Sequence, residues 1–96
     1  MKYFDWDDEK NERLKKERDI SFEEVIIEIF EGNILADVKH PNKVRYPNQR
    51  MFIVGIDNYA YLVSYVEDKE KVFLKTVMPS RKATKKYLIN NLINKG

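Results

Sequence analysis

The chain has 96 residues, 43% of them hydrophobic and 12% aromatic, enough for one modest core and too few for two. It holds no cysteine, which excludes a disulfide framework, a thiolate metal site and a cysteine nucleophile. The net charge of +2 hides a polarity: residues 1–32 carry six Lys/Arg against eleven Asp/Glu, net −5, whereas residues 33–96 carry twelve against five, net +7. The acidic opening lacks the basic and apolar regions of a secretory signal, and no apolar run approaches the ~20 residues of a membrane span. The expectation is therefore a single domain over residues 1–96, cytoplasmic and not bound to a membrane.

Tyr3-Phe4-Asp5-Trp6 is short and alternating, as an opening strand requires, and Asp7 then caps a helix over roughly residues 8–18. Leu14 is the only clear apolar residue of that helix, so it is expected at the surface, held by Trp6 and charge pairs. Ser21 and Glu24 form a capping box, with Ile20 placed to staple onto Val25. Phe22, Val25, Ile26, Ile29 and Phe30 then repeat at a 3.6-residue period, which predicts one buried face on a second helix, and Gly32-Asn33 stops it.

Beyond Asn33 the period shifts toward two. A short strand over Ile34–Val38 is followed by a polar excursion, Lys39–Gln49, with two prolines and two asparagines. Met51–Ile56, Tyr59–Val66 and Lys71–Met78 read as an antiparallel meander with tight connections. Pro79-Ser80 ends the last strand, and a helix from Arg81 to about Asn94 closes the chain. The predicted class is α+β: two N-terminal helices and a C-terminal helix on a small, mostly antiparallel sheet, with the helices segregated from the strands.

From Lys71 to Gly96 there are seven basic residues and no acid, the field an anionic partner meets first. In the last helix Arg81, Lys82, Lys85 and Lys86 share an arc of roughly 140°, and Leu88, Ile89, Leu92 and Ile93 continue nearly the same side. Such a helix either touches phosphates with its first turns and a partner with its end, or folds back onto its own domain. Lys75, between Phe73 and Val77 by the strand period, either snorkels to an edge or projects into a polar cleft. Arg50 immediately before the Met51–Ile56 strand, Lys75 and Arg81 are expected to flank one end of the sheet. Tyr59, Tyr61 and Tyr65 share one strand face, for core packing or for stacking on bases.

His40 is the only histidine, so two-histidine templates are unavailable, and it stands as a lone general-base candidate in a loop. There is no glycine-rich phosphate loop. The acids at residues 5–9 are explained by helix capping and the macrodipole, so neither a metal nor any other cofactor is assigned.

Phe4-Asp5-Trp6-Asp7 with Lys10 near by, Ile20-Ser21-Phe22-Glu23-Glu24, the meander and Ser80-Arg81-Lys82-Ala83, in that order and spacing, resemble the BrnT family of ribonuclease toxins over most of the chain. At Glu17-Arg18-Asp19 the family commonly carries K-H-G, so its histidine and glycine have no counterpart here. Ahead of Arg81 the family's upstream arginine is replaced by Lys75, one position off register, with Thr76 beside it. The resemblance implies a RelE-like fold, a toxin role and a cognate antitoxin, encoded nearby, that binds it as a hetero-oligomer. It implies metal-independent endoribonuclease chemistry in which a 2′-hydroxyl attacks the adjacent phosphate. Arg81 and Arg50 are the candidates for stabilising the added charge and Lys75 or His40 for proton transfer; Lys82, Lys85, Lys86 and Arg45 are the candidates for binding RNA. The competing reading is a non-catalytic nucleic-acid- or protein-binding module of the same fold.

Overall fold

Elements begin where the capping chemistry asks for them. In the computed structural model, which describes residues 2–89, strand β1 (Tyr3–Asp5) leads into helix α1 (Asp8–Arg18). The Asp7 carboxylate accepts from the backbone N–H groups of Glu9 and Lys10 there. Ser21 does the same for Glu24 at the start of α2 (Phe22–Phe30), with Ile20 and Val25 both buried as the staple requires. Strands β2 (Ile34–Lys39), β3 (Arg50–Ile56), β4 (Tyr59–Glu67) and β5 (Lys71–Pro79) follow. The β3–β4 turn places both Asp57 and Asn58 at positive φ, the backbone sense that matches the twist of a two-residue hairpin.

The five strands form one sheet in the order β1-β5-β4-β3-β2. β2 to β5 are antiparallel neighbours, whereas β1 pairs in parallel with β5 over Lys71–Phe73. One face carries the main core, where Val54, Ile56, Val63, Tyr65, Val72, Leu74 and Val77 meet Leu14, Ile20, Phe22 and Val25 from the two helices. The opposite face carries a smaller cluster of Ile53, Ala60 and Ala83, flanked by Leu35, Leu62, Tyr87 and Leu88. The molecule is thus α+β with a mostly antiparallel sheet, but the helices are not gathered on one side. The C-terminal helix occupies the face away from α1 and α2.

Three further expectations change. The closing helix changes type: α3 spans Arg81–Thr84 and passes into a π-helical turn, Lys85–Ile89; Leu92, Ile93 and the rest of the predicted helix lie outside the described residues. Phe30, placed by its period on the buried face of α2, is 72% exposed and meets only the edge of that face through a T-shaped contact with Phe4. In β5 the pairing shifts from Ser64↔Thr76 to Tyr65↔Leu74, which makes Lys75 the extra residue of a β-bulge. Val72, Leu74 and Val77 therefore all reach the main core, and Lys75 shares the side of Phe73, with its ammonium 5.3 Å from that ring, rather than the side of Val77.

Candidate nucleic-acid interface

β1 covers only the first three residues of β5, so among the described residues the outer edge of β5 past Phe73 has no strand partner. An open edge is a row of unpaired backbone groups, and α1 runs along this one. Arg18 closes part of it by donating from Nη1 to the Val77 carbonyl at 2.7 Å. Between helix and edge lies a cleft of about 170 Å³ lined by Lys10, Arg13, Leu14, Glu17 and Arg18 on one side and Thr76, Val77 and Met78 on the other. These α1 residues stand at i, i+3, i+4, i+7 and i+8, one helix face.

The electrostatics of this cleft follow from its occupants. Three of its side chains are cationic and one, Glu17, is anionic, while the bulged Lys75 is close enough to Lys10 to act on it. Burial, then the positive charges of Lys75 and Arg13, hold the Lys10 ammonium below the usual lysine range, against the opposing pull of Asp7. α1 is fixed in this position by Asn11, whose side chain is almost fully buried. Its Oδ1 accepts from the Phe22 N–H at 2.8 Å and its Nδ2 donates to Glu23 Oε1 at 2.6 Å.

A second cationic surface gathers three of the residues singled out from sequence. His40 and Arg50 line a cavity of about 310 Å³ with Lys39, Lys43 and Tyr46; Arg45 lies over the Tyr46 ring at 5.4 Å, and the His40 ring sits 4.6 Å from it. Arg50 is already committed. Its Nε donates to Asp37 Oδ1 and to the Tyr65 hydroxyl, its Nη2 donates to the Asp37 carbonyl, and Tyr65 in turn donates to Asp37 at 2.7 Å. Burial and the hydrogen bond to Asp37 push the Tyr65 phenol up to about 12. His40 Nδ1 accepts from the Asn42 N–H, so a neutral ring carries its proton on Nε2 and offers the cavity a donor.

The remaining predicted residues occupy a third position. Arg81, Lys82, Lys85 and Lys86 are exposed on α3 and the π-helical turn, with the Lys86 ammonium over Tyr87 at 5.2 Å. Thr84 anchors this segment, its hydroxyl accepting from the Ala60 N–H and donating to the Ser80 carbonyl. Arg50, Lys75 and Arg81 accordingly do not flank one end of the sheet. Arg50 pairs with Tyr65 at one end, while Pro79, just ahead of Arg81, pairs with Tyr61 toward the other, four rungs or about 13 Å along the strands. His40 and Arg50 share a cavity on the β2–β3 side, whereas Lys75 lies on β5. Tyr65 is core, stacked on Phe52 at 4.0 Å, which settles its ring as packing.

Sequence reasoning misses Lys10, Arg13 and Arg18 as site residues. Their signal is visible in the sequence as a basic residue at nearly every turn along the one helix face that carries Leu14. Among the described residues there is no cluster of three or more His, Cys, Asp or Glu side chains that could hold a metal, and no helix long and apolar enough to cross a membrane. Comparison of the chain with protein-family models, with curated proteins and with solved structures gave no match.

Proposed function

We propose that this chain is a metal-independent endoribonuclease of the BrnT type, a RelE-like toxin neutralised by a cognate antitoxin, and that the RNA backbone lies in the cleft between α1 and the open edge of β5. The observation that carries the reading is the cationic lining of that cleft, with Lys10 partly buried beside two other cations. A lysine held below the usual range serves as a proton acceptor more readily than a solvated one. In this scheme the neutral amine of Lys10 takes the proton of a ribose 2′-hydroxyl, O2′ bonds to phosphorus, and the P–O5′ bond breaks. The leaving oxygen is protonated by the ammonium of Lys75, and the guanidinium groups of Arg13 and Arg18 stabilise the charge on the phosphoryl oxygens. The products are a 2′,3′-cyclic phosphate and a 5′-hydroxyl. The cleft ends at Met78, three residues before Arg81 and within about 10 Å of it by chain reach; Arg81 and Lys82, exposed on α3, would hold phosphates of RNA that leaves the cleft and crosses the sheet edge.

The purified chain is expected to cut single-stranded RNA in EDTA to those two ends. Lys10→Ala should abolish cleavage while RNA still binds, and Arg81→Ala should weaken binding. Salt-dependent binding with no products from the parent protein would leave the non-catalytic binding module as the correct reading. Expression in a bacterium with and without the neighbouring small reading frame tests toxicity and neutralisation together.

A further inference from the structure

The outward side of α2 is unusual for a surface helix. Phe30 and Ile27, one turn apart, are 72% and 55% exposed, and at 100° per residue they fall on one stripe with Glu23, Glu24 and Glu31. Phe22, Val25, Ile26 and Ile29 already face the core, so among the described residues this apolar pair is left exposed, apart from the edge contact of Phe30 with Phe4. The surroundings have one sign: from Asp19 to Asp37 there are six acids and no lysine or arginine.

We propose that this stripe of α2 docks a protein partner through a lysine- or arginine-rich amphipathic helix. The partner's apolar side chains would cover Phe30 and Ile27, and its cations would meet Glu24, Glu28 and Glu31. The two apolar side chains together expose on the order of 200 Å², the scale of a binding hot spot rather than of the ~800 Å² that each partner contributes to a complete interface. The rest of the contact must come from the glutamate rim, which selects for positive charge. The same rim argues against a second copy: a two-fold contact through α2 would set each glutamate row against itself. A helical occupant fits because a ridge of residues spaced i and i+3 packs between the rows of a second helix. The inference stands apart from the ribonuclease reading, since it uses none of the cleft residues.

The test uses the full chain, isotope-labelled, titrated with three synthetic peptides: a Leu/Lys amphipathic helix, the same pattern with Glu for Lys, and a Lys/Ser peptide without an apolar face. The Leu/Lys peptide should perturb the α2 amides saturably and bind at least about tenfold more tightly than either other peptide. The double variant Ile27→Ser, Phe30→Ser should lose that advantage, as should Glu24→Lys, Glu31→Lys, which alters only exposed positions and so keeps the test valid if the first variant folds poorly. Equal binding of the Glu peptide, perturbations centred away from α2, or parent-like affinity in the glutamate variant would overturn the proposal. So would sedimentation showing self-association of the parent that Phe30→Ser abolishes, since the occupant would then be a second copy.

Discussion

Replacing Asn11 by alanine tests how the cleft is held in shape. Asn11 is 3% exposed and Phe22 is fully buried, so losing Oδ1 strands the Phe22 N–H away from water, at a cost of about 1–3 kcal/mol. Losing Nδ2 removes the bond to the Glu23 carboxylate, worth about 1 kcal/mol at this partly exposed position. The sum, about 2–4 kcal/mol, is a large share of the ~5–15 kcal/mol of a small domain and corresponds to a fall in Tm of roughly 10–25 °C. Denaturant unfolding followed through Trp6, which stacks on Phe22 at 6.1 Å, gives the first quantity and calorimetry the second. The sign with pH discriminates further. In the parent the Asn11 hydrogen bond is the main cause holding the Glu23 carboxyl below its usual range, so this stabilisation is present above the unfolded pKa and lost as pH falls through the folded one. In Asn11→Asp two carboxylates face each other at pH 7, and stability should instead recover on acidification as one takes a proton and donates to the other. A change below about 0.5 kcal/mol in Asn11→Ala, the scatter of an ordinary surface substitution, or an Asn11→Asp variant with the parent's pH trend, would refute this account.

Tyr65→Phe should cost about 1–2 kcal/mol by removing the hydroxyl that links Asp37 and Arg50. Spectrophotometric titration of the parent should show one phenol ionising last, near 12; its stabilising effect is full below the unfolded value and is lost as pH rises through the folded one. Gly32→Ala should destabilise by ~1–2 kcal/mol, because φ is +86° there with open space around the added methyl, so the penalty is backbone strain alone; Gly32→Asn should cost less in the same unfolding assay. Lys75→Met removes the leading charge that opposes protonation of Lys10. Because the same variant removes the proposed proton donor, RNA cleavage should become slower, and the rising limb of the residual pH–rate profile should move to higher pH; an unmoved limb would remove Lys10 as the proton acceptor.

Much of the local structure was legible. Asp7, Ser21 and Ser80 act as caps because a short polar side chain beside an apolar period has few other uses, and each accepts from the backbone as the pattern implies. The basic residues were legible as a class but not as a site. Seven cations without an acid after Glu70 point to the C-terminus, while Lys10 and Arg13 are hidden in a segment whose net charge is negative. Net charge averages over a segment, whereas a cleft selects individual side chains from one helix face and from a strand far away in sequence.

By itself the sequence determined where the helices and strands begin, because capping, turn residues and hydrophobic period act over only a few neighbours. Tertiary structure alone decided three things: that Lys75 is the extra residue of a bulge, that α3 crosses to the face opposite α1 and α2, and that Phe30 stays uncovered. Each depends on what lies across from a residue rather than beside it. A strand's register belongs to the pair of strands, and one residue inserted opposite Ser64 and Tyr65 leaves Lys75 beside Phe73 but shifts the period after it, so that Val77 rather than Thr76 joins Val72 and Leu74 in the core.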